Sequence, residues 1–171
     1  LIILSLCGCA HVVSKEIRDQ ADRELLPLDL FKDPDAYTGR IVILGGVIVS
    51  SKNMAEGTYI EVLQKPLDYS GRPEDSDISF GRFIIFYEGY LDTAIYSKDR
   101  EITVAGEVMG KKVQTLGEMK YSYPLIKSRE LHLLEPSRGL PIFFGIEIWK
   151  VFCLHPLKPK VILLISRIFH L

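Results

Sequence analysis

The stretch Ile41-Val42-Ile43-Leu44-Gly45-Gly46-Val47-Ile48-Val49, framed by Arg40 and Ser50, decides how this 171-residue chain is read. β-Branched side chains dominate it, and they fit a pleated strand better than a helix. Two adjacent glycines interrupt the run. Inside a strand, glycine marks a bulge, a sharp bend or a close approach of another backbone. A long first strand bent in its middle is what a small closed barrel requires.

Reading outward, Asn53–Gly57 forms a turn, and Thr58-Tyr59-Ile60-Glu61-Val62-Leu63 alternates as a second strand. Pro66–Asp77 is a loop rich in Pro, Gly, Asp and Ser, and Gly81–Tyr87 is a third strand. The spacing predicts a short helix over Tyr90–Lys98, with Asp92 near its start. Glu101–Val108 has the cleanest period of two: Ile102, Val104 and Val108 face one way, Glu101, Thr103 and Glu107 the other. Tyr121–Lys127 and Glu130–Leu134 form a final strand or strand pair, and Lys111 and Lys112 read as a solvated hairpin tip. Upstream, Leu30–Gly39 reads as a one-turn helix, with Asp33 as N-cap, Pro34 in the first position and Gly39 past the end. The expected architecture is mainly β: a small antiparallel barrel of five to six strands with one or two short helices, over residues 30–137. The OB type, a five-stranded Greek-key barrel, is the nearest match.

Composition narrows the function classes. Lys plus Arg number 21 and Asp plus Glu 22, for a net charge of −1, and 47% of residues are hydrophobic. That is ordinary globular usage, neither a disordered tail nor a disulfide-dense scaffold. A nucleic-acid binder would need a basic excess to neutralise phosphates, so no nucleic acid is expected. Residues 1–137 carry 16 basic and 21 acidic side chains, whereas 138–171 carry five basic and one acidic. This last stretch is an apolar, basic C-terminal extension. Ile142–Trp149 within it could alternate as an added strand. Val161–Ile165, with Lys158, Lys160 and Arg167, either lies on an anionic membrane surface or is a poorly packed appendage. No run reaches the roughly 18 apolar residues of a spanning helix.

The chain opens Leu1-Ile2-Ile3-Leu4-Ser5-Leu6-Cys7-Gly8-Cys9-Ala10. Residues 1–8 read as the end of an apolar signal segment. Leu6-Cys7-Gly8-Cys9 resembles a bacterial lipobox, with an apolar residue at −3, a small one at −1 and the acceptor cysteine at +1. Cys9 is then the site of lipid attachment, because its thiol can form the thioether to diacylglycerol. Cys7 is a poor acceptor with bulky Leu6 before it. The other reading is a buried N-terminal strand with two chance cysteines. With Cys9 acylated and Cys7 removed, Cys153 is left alone and no disulfide framework exists. Residues 9–29 would be a lipidated N-terminus and polar tether, with a frayed helix around Ser14–Leu26 that Pro27 ends. The protein would be anchored to a membrane without spanning it.

Catalytic signatures are weak. His11, His132, His155 and His170 fit no zinc-ligand spacing. Gly106-Glu107-Val108-Met109-Gly110-Lys111-Lys112 is one residue short of a P-loop and lacks the Ser or Thr after the lysine. There is no G-x-S-x-G elbow. Glu61, Asp68, Asp92, Glu101 and Glu107 read as solvated strand faces and turn caps. The expectation is a non-enzyme with no cofactor beyond the covalent lipid and no metal. Tyr59, Phe83, Phe86, Tyr87, Tyr121 and Tyr123 leave a glycan or peptide ligand open, although alternation sends half of them to the core. Asn53, Asp68 and Arg72 belong to candidate motif loops, and Arg72 and Arg82 are the residues best suited to grip a carboxylate in a fixed fork.

A family resemblance then emerges. Its residues are Tyr37-Thr38-Gly39-Arg40, Leu44-Gly45-Gly46-Val47-Ile48, Asn53, Glu61-Val62-Leu63-Gln64-Lys65-Pro66-Leu67-Asp68 and Gly71-Arg72-Pro73. They continue through Ser79-Phe80-Gly81-Arg82-Phe83-Ile84, Tyr90-Leu91-Asp92, Tyr96, Arg100–Gly106 and Gly117-Glu118-Met119-Lys120-Tyr121-Ser122-Tyr123-Pro124. This succession, from the lipobox to about residue 135, resembles the Slp family of starvation-inducible outer-membrane lipoproteins. Glu88-Gly89-Tyr90 departs from the family's plainer context, and the chain beyond about residue 154 matches nothing in it. The resemblance implies a lipid-anchored, periplasm-facing barrel of the outer membrane, with no catalytic residues to carry over. Ala10 after the acceptor favours the outer membrane, as in enteric lipoproteins. Its partners would be the membrane, through the anchor, and an envelope protein or glycan.

Overall fold

The computed structural model describes residues 11–135. Residues 1–8, read as a signal remnant, Cys9, expected to carry lipid, and residues 138–171, read as a C-terminal extension, lie outside them. Two short helices, α1 (Lys15–Gln20) and α2 (Pro27–Lys32), and a 3-10 turn (Pro34–Tyr37) precede five strands. The strands are β1 (Ile41–Met54), β2 (Gly57–Lys65), β3 (Arg82–Tyr87), β4 (Glu101–Leu116) and β5 (Met119–Leu133). They close into one barrel in the order β1-β2-β3-β5-β4. All pairings are antiparallel except β3–β5, where Ile84–Phe86 run parallel to Leu125–Lys127.

The long first strand is observed, with its register irregularity between Ile48 and Ser50 and a close backbone approach at the glycine pair. β1 is 14 residues long, against the usual ~5–6. Its first half pairs with β4 (Ile41–Val47 against Glu107–Glu101) and its second with β2 (Gly45–Met54 against Lys65–Gly57). Gly45 and Gly46 belong to both ladders. A Cβ on Gly46 would run into the Leu63 carbonyl, so the crossing tolerates only glycine. β2 alternates without a break, burying Thr58, Ile60, Val62 and Gln64 in turn. The core joins Val42, Leu44 and Ile48 to Ile60, Val62, Phe83, Ile85, Ile102, Val104, Val108 and Ile126. Leu30 of α2 is buried among them, and Phe31 meets Phe83 edge-on at 6.4 Å. Each such side chain contributes on the order of 1.5–3 kcal/mol through burial.

Three sequence expectations change, and one choice left open is decided. The two segments read as a final strand or a strand pair are one strand, β5. Ala105 faces Glu130 while Gly106 faces Ser128, so Arg129 is the extra residue of a bulge that breaks the alternation. Lys111 and Lys112 are no hairpin tip: β4 continues to Leu116 and turns at Gly117-Glu118. Tyr90–Lys98 is a single turn rather than a helix. Ile95 and Tyr96 N–H close on the Asp92 carbonyl and Asp92 Oδ1 accepts from Ala94, but the chain is pinned on both sides. Leu91 N–H donates to Thr58 Oγ1 and Asp99 N–H to the Ile48 carbonyl, which leaves no length to offset helix nucleation. Asp33 precedes the 3-10 turn, yet its side chain makes no cap bond; its carbonyl accepts from Ala36 instead.

The segment read as a tether lies along the barrel from residue 12 onward. Val12 N–H donates to Ser70 O at 2.8 Å, Val13 is buried, Ser14 N–H donates to Glu130 Oε2 at 2.9 Å, and Asp22 N–H donates to Ile41 O at 2.8 Å.

Candidate functional site

Beyond the closed core, the strands extend as two arms. One is the end of β1 with the start of β2; the other is the β4–β5 hairpin. A cleft of about 270 Å³ opens between them, lined by Ser50, Lys52, Met54, Tyr59, Glu61, Ile84, Lys112 and Gln114. In OB barrels this region, between the first and last hairpins, is where oligomeric ligands bind.

One lining residue of the cleft, Glu61, is held from behind by a pre-set polar cluster. Arg82 Nη1 donates to Glu61 Oε1 at 2.8 Å, and the Tyr123 hydroxyl donates to the same oxygen at 3.3 Å. Tyr121 packs on Tyr123 at 4.6 Å between centroids, and its hydroxyl accepts from Arg82 N–H at 3.1 Å. The Glu61 hydrogen bond pushes the Arg82 guanidinium further above its ordinary range, so it is a fixed cation. Burial, then the Glu61 charge, pushes the Tyr123 phenol up, so it remains a donor. One wall is a cation–aromatic stack. Lys112 Nζ sits 3.5 Å from the Tyr59 centroid, and Tyr59 lies on Phe86 at 5.0 Å. The Tyr59 hydroxyl donates to Glu56 at 3.2 Å; burial first, then Glu56, raises its pKa. With neighbours on Tyr59, the cleft offers hydrogen bonds and charge rather than an open stacking platform.

The residues singled out in the sequence do not assemble in one place. Arg82 alone of the four adjoins the cleft, through Glu61. Asn53 is a loop clamp: Nδ2 donates to Leu91 O at 3.1 Å and Oδ1 accepts from Thr58 Oγ1 at 2.6 Å. Asp68 organises the β2–β3 loop, accepting at Oδ1 from Ser70 N–H (2.8 Å), Ser70 Oγ (2.7 Å) and Arg72 N–H (2.9 Å). The Arg72 N–H, then the Ser70 hydroxyl, hold its carboxyl below the usual range. Arg72 was expected to grip a carboxylate; its guanidinium instead donates to the Glu135 carbonyl at 3.4 Å. Lys52, Lys112 and Gln114 were missed, because strands far apart in sequence bring them together.

Two further polar pairs are local. Glu107 pairs with Arg129 at 3.2 Å, and His132 Nε2 lies 3.2 Å from Glu130. Among the described residues no group of three His, Cys, Asp or Glu could hold a metal ion, and no helix is long and apolar enough to cross a membrane. Phe83 and Tyr123 fill the core, while Tyr59, Tyr87 and Tyr121 are half-buried.

A closed five-stranded barrel with this strand order, joined by a parallel β3–β5 contact, defines an OB-type module. Residues 6–141 match the family model described as outer membrane lipoprotein Slp family, and the chain belongs to that family. An uncharacterized protein of Haemophilus influenzae is 34% identical over 107 residues, covering 62% of this chain and 55% of its own length. The chain thus spans about half of that relative. The uncharacterized lipoprotein YeaY of Escherichia coli K12 is 28% identical over 154 residues, covering 85% of this chain and 79% of YeaY. Among solved structures, a small single-stranded DNA-binding protein from Streptomyces coelicolor aligns with 59% of this chain and 98% of its own, at 12% identity and a TM-score of 0.36. A likeness that loose carries no functional argument.

Proposed function

We propose that this family member is held at the bacterial outer membrane by lipid on Cys9, with the barrel facing the periplasm in a non-catalytic structural or interaction role. The observation that carries the reading is where the family match begins: at Leu6, the first residue of Leu6-Cys7-Gly8-Cys9. A diacylglyceryl group and an N-acyl chain supply three chains, and at about 0.8 kcal/mol per buried CH₂ that exceeds the marginal hold of one chain. Metabolic labelling with a palmitate analogue tests the anchor. Incorporation in the wild type and its loss in Cys9→Ala are expected; equal incorporation in both overturns it.

The cleft between the arms supports a second reading, a module that binds a glycan or peptide. Its fixed Arg82–Glu61–Tyr123 cluster and the amide of Gln114 suit hydrogen-bonding groups along an extended ligand. Titration with soluble peptidoglycan fragments, followed by amide shifts at Tyr59, Glu61 and Gln114, tests it. Shifts confined to those strands support the reading, and an unchanged spectrum at saturating fragment counts against it.

A further inference from the structure

A second cavity, of about 370 Å³, lies where the chain enters the barrel, bounded by His11, Arg18, Asp22, Arg23, Ile43 and Tyr69. Arg18 is its unusual member. Its Nε is shielded from solvent and has no hydrogen-bond partner among the described residues. The nearby carboxylates are already engaged: Asp19 by Lys15 and Arg23, Asp22 by Arg40 at 2.7 Å. Asp68 is held by the N–H groups of its own loop. A guanidinium whose shielded Nε lacks an acceptor is poorly satisfied by the protein itself, and an anion entering the cavity would meet the part of it that lines the wall. His11 Nδ1 accepts from Val13 N–H at 3.1 Å, which makes Nε2 the N–H donor of the neutral ring. Arg23 is largely exposed and only 3.5 Å from Asp19 Oδ1, a loose pairing that an anion could replace.

Two independent features point to the source of that anion. Tyr69, beside the cavity, is 81% exposed, and tyrosine is favoured at membrane–water interfaces. Val12 is fixed to Ser70, and the three residues from Cys9 to Val12 span at most about 10 Å. An acyl chain on Cys9 therefore brings the cavity to headgroup level. The first 137 residues carry more acidic than basic groups, 21 against 16, so general attraction to an anionic surface does not explain a local pair of arginines there.

We propose that the cavity of His11, Arg18 and Arg23 receives the phosphodiester of a membrane phospholipid, fixing how the barrel sits on the bilayer that holds its anchor. This rests on the lipid-anchor reading for its setting, but its test does not need the anchor. Full-length Cys9→Ser chain is floated with vesicles of phosphatidylethanolamine and phosphatidylglycerol (3:1), and with phosphate-free galactolipid vesicles. Binding to the phospholipid vesicles is expected, falling at least tenfold in Arg18→Gln and in Arg23→Glu. Arg23 is surface-exposed, so the second variant keeps the fold if the first does not. Because the rest of the chain is unchanged, a loss on substitution isolates the cavity. Equal binding by the parent and Arg23→Glu, or equal binding to galactolipid, overturns the proposal. So does binding of free glycerophosphate with no vesicle binding, which would make the ligand a soluble phosphate ester. Failure of palmitate labelling would remove the anchor and leave this result standing, so the two can fail separately.

Discussion

The closed end of the barrel and its two arms follow different rules. At the closed end, β1 is clamped between β2 and β4, the core side chains are buried, and Gly46 admits no side chain at all. The arms run on from the same strands, yet their side chains meet water and one another across a cleft. One sequence therefore carries a stretch where shape is dictated atom by atom and another where only charge and hydrogen bonding matter. Stability is concentrated in the first, and the cleft proposed to take a ligand lies in the second.

Substitutions should separate the two. The largest effect is expected from Gly46→Ala, whose Cβ would displace the Leu63 carbonyl; a loss of more than about 3 kcal/mol, read by urea unfolding, is expected. Gln114→Ala in the arm should change stability by less than about 0.5 kcal/mol. If the two cost the same, the contrast fails. Ile85→Ala, at a fully buried core position, should cost about 2–5 kcal/mol in the same assay. Arg82→Ala leaves Glu61 with the Tyr123 hydroxyl on one oxygen and the Ser50 hydroxyl on the other. Both charged groups are partly exposed, so about 1 kcal/mol is expected, with Arg82→Lys in between.

The smallest effect is a pH dependence at Asp68. Its carboxyl is held below the ordinary range in the folded loop, chiefly by the Arg72 N–H. A depressed folded pKa stabilises the protein at pH values above the unfolded value of about 3.9, and that contribution is lost as pH falls through the lower folded value. The stability gap between wild type and Asp68→Asn should therefore be constant near neutrality and close on acidification below that range. A gap that widens in acid would contradict the assignment. Amide exchange at Val12, which hangs on the same loop, should quicken in Asp68→Asn.

Much of the closed end was legible in the sequence, because a core writes itself as periodicity. The alternation through Thr58–Leu63 and the glycine pair at Gly45-Gly46 marked β2 and the close backbone approach in β1. What escaped was set by contacts from elsewhere. The bulge at Arg129 hid the continuity of β5, and the pinned segment around Asp92 mimicked a helix. The far half of β4 looked like a turn because Lys111 and Lys112 are charged, whereas their partners explain them: Asp35 for one, the Tyr59 ring for the other. Of the candidate site, Arg82 was visible as an arginine able to find a carboxylate. The convergence of Lys52, Lys112 and Gln114 was not, since no spacing encodes it. Asn53 and Asp68 stood out as loop residues, and the structure gives both a clamping task.

The most direct test of the lipid-anchored reading is the intact mass of the protein extracted from membranes. The expected mass is that of a chain beginning at Cys9 and carrying a diacylglyceryl group and an amide-linked acyl chain. A polypeptide that retains the residues before Cys9, has an unmodified thiol there and partitions into the aqueous fraction would contradict it.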